Sequence, residues 1–173
     1  MSWHKAMIIE NLQVAEPSQL EMVWDIFTRA VVQMNSIGIN QWDELYPDKA
    51  ILLEDIQKQQ LYIFSVDDQP AACAVLNEEQ SEEYREVQWQ YTNGRIAVIH
   101  RVCVDPRLQN RGIAKKLLVQ VEELFKRQGY TSVRLDAFSQ NPYSNRLYHG
   151  AGYVARGEIF FRKGKFYCYE KLL

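Results

Sequence analysis

Little in the chain would tie it to an oxidising compartment, a membrane or nucleic acid. Its three cysteines, Cys73, Cys103 and Cys168, are widely spaced and form no C-x-x-C or Cys/His group, so neither a disulfide framework nor a metal or redox centre is expected. Each lies in a strand-like run and reads as a small buried hydrophobe. No apolar run approaches the roughly eighteen residues of a membrane span. The N-terminal MSWHKAMIIENL lacks the apolar stretch and cleavage site of a secretory signal, which leads us to expect a cytoplasmic protein. Twenty Lys and Arg against 22 Asp and Glu give a net charge of −2. That balance lacks the basic excess that nucleic-acid or anionic-membrane binding would need. A lysine-bearing Walker sequence is missing, and no G-x-G-x-x-G follows a strand. Internal repeats, low-complexity tracts and linkers are also missing. Area scaling has a chain of 173 residues burying roughly 70% of its unfolded surface, so residues 1–173 are expected to form one domain.

What is present centres on His100 to Leu118, HRVCVDPRLQNRGIAKKLL. Ile96, Val98, Val102 and Val104 suit a buried strand, which Asp105-Pro106 ends because proline cannot donate to the next ladder position. Gln109 to Ala114 form a polar turn, and Ile113, Leu117, Val121 and Leu124 keep helical spacing up to Gly129. The first N–H groups of such a helix have no internal partner and carry partial positive charge, so they can hold a phosphate. Gly112 and Ala114 leave the backbone uncovered, while Arg111, Lys115 and Lys116 add cationic charge.

On the N-terminal side of this stretch, residues 7–14 read as a strand. Ser18 as cap and Glu21 as the capping-box partner start a helix whose stripe of Leu20, Val23, Phe27, Ala30, Val31 and Met34 runs to Gly38. Residues 36–49 are a loop in which Gln41-Trp42 and Tyr46-Pro47 are either a hydrophobic lid on the core or a wall of a substrate pocket. A short helix over about 48–59 follows, then strands over 61–66 and 71–76 joined by Asp67-Asp68-Gln69-Pro70. Residues 77–93 interleave Glu78, Glu79, Glu82, Glu83 and Glu86 with Tyr84, Trp89 and Tyr91. This run is either a solvated face or a field that attracts a cationic amine between aromatic rings. Strand 131–138 leads to Asn141-Pro142-Tyr143-Ser144 and a short helix that Gly152 stops. Residues 158–162 and 165–173 make a C-terminal hairpin.

Gln109 to Ala114 resemble the Q/R-x-x-G-x-G/A acyl-coenzyme A signature of the GCN5-related N-acetyltransferase (GNAT) superfamily. Asn141 to Tyr153 are similar to its N-x-x-A-x-x-L-Y-x-x-x-G-F/Y segment, with Ser144 in place of the alanine and Leu147, Tyr148 and Gly152-Tyr153 matching. Together with the element order, the resemblance covers nearly the whole chain. It implies a mixed α/β fold: a mostly antiparallel sheet of six or seven strands, helices on both faces, and a splayed parallel central pair. It further implies acetyl-CoA as donor, with no metal. The pantetheine arm would pair with the backbone of Val102, Cys103 and Val104, the pyrophosphate would sit on Gln109, Asn110, Arg111, Gly112, Ile113 and Ala114 beside Lys115, and Asn141 and Ser144 would hold the rest of the arm.

Transfer to an amine requires a neutral nucleophile and a protonated leaving thiol. The resemblance gives Tyr148 the role of acid. His100 is a candidate base, placed by strand alternation on the face of Val102 and Val104, with Glu78, Glu86, Asp136 or Glu158 acting through water as alternatives. Gln41, Trp42, Tyr84 and Trp89 are candidates for the acceptor site. The acceptor, a small-molecule or peptide amine, is not specified, and dimers are common in the family, so a homodimer is allowed. A catalytically silent acyl-CoA-binding module is the rival reading.

Overall fold

The computed structural model describes residues 8–173, so Met7, the head of the first expected strand, lies outside the described residues. One seven-stranded sheet contains β1 (Glu10–Val14), β2 (Leu61–Val66), β3 (Gln69–Asn77), β4 (Ile96–Val104), β5 (Ser132–Phe138), β6 (Val154–Phe161) and β7 (Gly164–Leu172). Its spatial order is β1-β2-β3-β4-β5-β7-β6, and every neighbouring pair is antiparallel except β4 and β5. Helices α1 (Leu20–Ser36) and α2 (Lys49–Gln57) pack with Leu61, Ile63, Cys73, Val75 and Cys103. Helices α3 (Ile113–Arg127) and α4 (Pro142–Gly150) pack with Ala97, Ile99, Leu135 and Tyr169. The sheet is thus covered on both faces. All three cysteines are free and buried. Among the described residues no helix is long and apolar enough to cross a membrane.

The expected elements all form, and the differences at their ends have local causes. Pro17, whose fixed φ suits a first helical position, starts a 3-10 turn over Pro17–Gln19. The capping expected of Ser18 and Glu21 therefore moves back, and the Gln19 Oε1 accepts from the Glu16 N–H at 2.9 Å. The β2–β3 hairpin turns on Asp67 and Asp68 alone, both at positive φ, as a two-residue turn requires. Pro70 then enters β3 opposite a bulge at Phe64/Ser65, where its missing donor is accommodated. Strand β6 begins at Val154, four residues earlier than expected, because pairing with β7 recruits a weakly patterned stretch around a bulge at Ala155/Gly157.

Two features of β4 position the functional region. Its parallel pairing with β5 covers only Ile96↔Ser132, Ala97↔Val133 and Val98↔Arg134, beyond which the strands diverge and leave the β4 backbone unpaired on that side. Opposite β3 the register slips by one residue between Cys73↔Cys103 and Val75↔His100, and Arg101 takes a φ of +49°. This bulge reverses the alternation. Ile99, Val102 and Val104 face α3, whereas Val98, His100 and Cys103 face the other side. The expectation that His100 shares a face with Val102 and Val104 is therefore overturned.

The last residues of β4 lead into a buried anchor. Asp105 is fully buried and accepts from Arg29 Nη2 at 3.0 Å, Arg107 Nη2 at 2.8 Å and the Arg107 N–H at 3.0 Å. Burial alone would raise its pKa, but the Arg107 and Arg29 bonds prevail and hold it at about 2. The carboxylate ties α1 to the turn that precedes the Gln109–Gly112 loop.

Candidate active site

The divergence of β4 and β5 opens a cavity of about 1000 Å³ that reaches the starts of α3 and α4 and runs beneath the 37–48 segment. On one side Val102, Cys103 and Val104 present the unpaired strand edge. Next to it, Asn110 and Gly112 take left-handed φ values of 62° and 71° and bring the chain sharply round into α3. A Cβ at Gly112 would meet nothing within 4 Å, so the space ahead of this helix is open. The first intrahelical donor here is the Lys116 N–H, bonded to the Gly112 carbonyl at 3.1 Å. The preceding amides of Ile113, Ala114 and Lys115 are left for a ligand. Gln109, Asn110, Gly112, Ile113, Ala114 and Lys115 all line the cavity. Arg111, between the two left-handed residues, lies outside the wall with its side chain exposed. Lys116 is turned away to Glu10, at 2.7 Å.

Helix α4 supplies the opposite lip. Asn141 Oδ1 accepts from the N–H groups of Tyr143 and Ser144 at 3.1 and 3.2 Å, and its Nδ2 donates to Gln41 Oε1 at 2.8 Å. The Ser144 hydroxyl is buried without a protein partner and belongs to a cavity-lining residue. Such an orphan costs stability unless a ligand satisfies it. An uncovered helix start, an unpaired strand edge and an orphan hydroxyl together suit an extended ligand with amides and phosphates, and so fit the pantetheine and pyrophosphate of acetyl-CoA. Tyr148 reaches the same cavity from α4 and is 5% exposed. Burial, and then the neighbouring Asp136 charge, push its pKa above the ordinary phenol value.

The remaining wall is assembled from distant segments. Asp136 of β5 accepts from the Tyr84 hydroxyl at 2.6 Å, and burial raises its pKa above the usual carboxylate value. His100 lines the cavity, but its Nε2 lies 2.7 Å from Asn77 Oδ1. Burial and then the Arg101 charge push its pKa down to about 4. Arg101, at the bulge, is held by Asp55 at 2.6 and 2.9 Å and by the Tyr46 hydroxyl at 2.8 Å. The 37–48 segment closes over this wall through three ties: Gln41 to Asn141, Tyr46 to Arg101, and Asp43 to Arg162 and Lys163 in the β6–β7 turn at 2.8 and 3.0 Å. Trp42 is both core and wall: 7% exposed, 5.4 Å from the Phe27 ring, and on the cavity.

The cavity gathers the sequence-derived donor, acceptor and acid candidates except Arg111 and Trp89; of the candidate bases it takes His100 and Asp136 but not Glu78, Glu86 or Glu158. Trp89 lies on a separate, smaller recess. Its indole N–H donates to the Tyr84 carbonyl at 2.9 Å and the Arg134 guanidinium covers its ring at 4.3 Å, so the chain's own cation occupies the aromatic face. None of the glutamates of residues 77–93 lines the cavity. Glu78 is engaged by Arg95 and Tyr130, and Glu79 by Lys58. Arg101, Arg162, Lys163, Phe161 and Phe166 on the wall were not anticipated. Only the left-handed bulge and the return of the β6–β7 turn bring them there, and neither has a signal in local spacing. Among the described residues no group of three or more His, Cys, Asp or Glu side chains is arranged to hold a metal ion.

A family model described as the acetyltransferase (GNAT) family matches residues 20–153. A curated protein of Bacillus subtilis, S-(2-succino)cysteine N-acetyltransferase, is 25% identical over 163 residues, covering 92% of this chain and 93% of its own. A GNAT-family acetyltransferase from Streptococcus agalactiae superimposes with a TM-score of 0.85 at 20% identity, covering 95% of each chain. The PaiA N-acetyltransferase of Thermoplasma acidophilum, solved in complex with coenzyme A, has a TM-score of 0.72 at 17% identity, covering 95% of this chain and 99% of that one. These two likenesses show the fold.

Proposed function

The chain belongs to the acetyltransferase (GNAT) family, and on that premise we propose that it moves the acetyl group of acetyl-CoA to a small amine by direct attack. The observation that carries this reading is the convergence on one cavity of the uncovered α3 start, the unpaired β4 edge, Tyr148 and Asp136. The Bacillus relative, named for an amino-acid amine, supports nitrogen as the acceptor atom.

Acetyl-CoA would supply an activated thioester carbonyl. In our reading the amides of Val102 to Val104 align the arm, the α3 amides with Lys115 hold the pyrophosphate, and Asn141 and Ser144 secure the stretch between. The amine lone pair bonds to the carbonyl carbon, the C–S bond breaks, and Tyr148 gives its proton to the departing sulfur. Its raised pKa keeps the phenol protonated at neutral pH, the form an acid needs. The proton released by nitrogen passes to Asp136, which the environment favours over His100. Asp136 gains proton affinity from burial, whereas His100 loses it and commits Nε2 to Asn77.

Tyr148→Phe is expected to lower kcat by roughly tenfold or more, while acetyl-CoA affinity stays within about threefold. Thiol release and calorimetry measure the two quantities. Unchanged kcat would remove Tyr148 from the reaction. Acetyl-CoA binding with no product from any amine would favour the silent module.

A further inference from the structure

Beyond the β4–β5 gap the cavity has an apolar, aromatic body between two ends of opposite charge. Tyr84, Phe138, Phe161 and Phe166 form the body. Asp136, bonded to Tyr84, is the one carboxylate among the lining residues and stands at the inner end. Arg162 and Lys163 stand at the outer end, where both line the cavity and share the single carboxylate of Asp43, which is not on the wall. Two cations against one anion leave a net positive charge at this end of the cavity. Arg101 does not add to it, because Asp55 neutralises it one to one, whereas Asp43, which also engages Arg162 from two nitrogens, is shared with Lys163.

The two ends are well apart. Asp136 stands opposite Cys168 of β7, five residues along the chain from Lys163. At about 3.3 Å per strand residue, that is roughly 16 Å between backbones, shortened by the reach of the Lys and Arg side chains.

Resting on the acetyltransferase reading, we propose that the acceptor is a small amine carrying a carboxylate at the end remote from the reacting nitrogen, with an apolar or aromatic body between them. The amine meets Asp136. The carboxylate meets Arg162 and Lys163, whose donors, only partly used by Asp43, match it. A purely cationic acceptor such as a diamine would place its second charge against these two side chains and be rejected.

Three matched amines test this: 4-(aminomethyl)benzoate, 4-(aminomethyl)benzamide and benzylamine, with acetyl transfer followed by thiol release. The benzoate is expected to show a kcat/KM at least about tenfold above the other two, mainly through KM. In the double variant Arg162→Gln/Lys163→Gln that preference is expected to fall below about threefold, with acetyl-CoA affinity unchanged. As a check independent of any variant, added salt should erode the preference for the benzoate in the wild-type protein. Equal or faster turnover of the amide or benzylamine, a preference that survives the double variant, or no turnover of any of the three by protein that binds acetyl-CoA would overturn the inference. Failure to bind acetyl-CoA at all would instead overturn the acetyltransferase reading beneath it.

Discussion

The two sides of the cavity are built differently. On the side we assign to the donor, the contacts are mainly backbone groups within short stretches: the open edge of β4, the amides after Gly112, and the Asn141-capped start of α4. On the side we assign to the acceptor they are side chains from five separate stretches, joined by Gln41–Asn141, Tyr46–Arg101, Asp43–Arg162/Lys163 and Tyr84–Asp136. A backbone cradle holds any side-chain sequence that permits its φ values, so it suits a ligand common to many proteins. A side-chain wall changes with every substitution, so it suits a ligand particular to one.

The largest expected effect falls where the two sides meet. Asp136→Asn should lower kcat by about 100-fold, within the range for proton transfer by a positioned group, with acetyl-CoA affinity nearly unchanged. In the wild type, activity should rise with pH as Asp136 ionises, above the usual carboxylate range because its pKa is raised. A pH–rate profile of His100→Gln should keep that acid limb, since His100, with a pKa of about 4, is already neutral there. Loss of the limb in His100→Gln would return the role of base to the histidine.

Next comes the donor side alone. Gly112→Val forces a β-branched residue to a φ of 71° and fills the open space ahead of α3. We expect acetyl-CoA affinity to fall about tenfold or more, with strain of roughly 1–3 kcal/mol also visible in the unfolding midpoint. Ser144→Ala is a smaller and sharper probe, because it removes a hydroxyl that has no protein partner. Stability should hold or rise by up to about 1 kcal/mol while acetyl-CoA binding weakens a few-fold. A parallel loss of both would show the hydroxyl serving the fold alone.

The smallest effect on activity concerns the anchor beneath both sides. Asp105 has its pKa lowered from 3.8 to about 2. Its contribution to stability is therefore complete above about pH 4 and lost as the pH falls towards 2, a total of about 2 kcal/mol. Denaturant midpoints between pH 5 and 2 should show this decline, and Asp105→Asn should flatten it.

The same contrast governs what could be read from the sequence. The β4 strand, the Gln109–Ala114 turn, α3 and the Asn141-capped helix are local patterns, in which residue type fixes backbone conformation over a few positions. Their places in the fold were accordingly legible. The bulge at Arg101 was not, because nothing in IAVIHRVCV marks a residue that will take positive φ, and alternation carried through it put His100 on the wrong face. The acidic run of residues 77–93 left two readings open, a solvated face or a cation site. The solvated face is what forms: its carboxylates pair with Lys58, Arg95 and Tyr130 or face away from the cavity, and the wall gains Arg162 and Lys163 from a turn some eighty residues away. Charge counted along the chain does not give charge facing a cavity, which is set by which segments meet.

We assign the open β4 edge and the α3 start as the seat of acetyl-CoA. Calorimetric titration of the purified protein with acetyl-CoA, alongside Gly112→Val, tests it most directly. Micromolar binding with one site per chain is expected, weakened about tenfold or more in the variant. Absence of binding, or equal binding by a folded Gly112→Val protein, would contradict it.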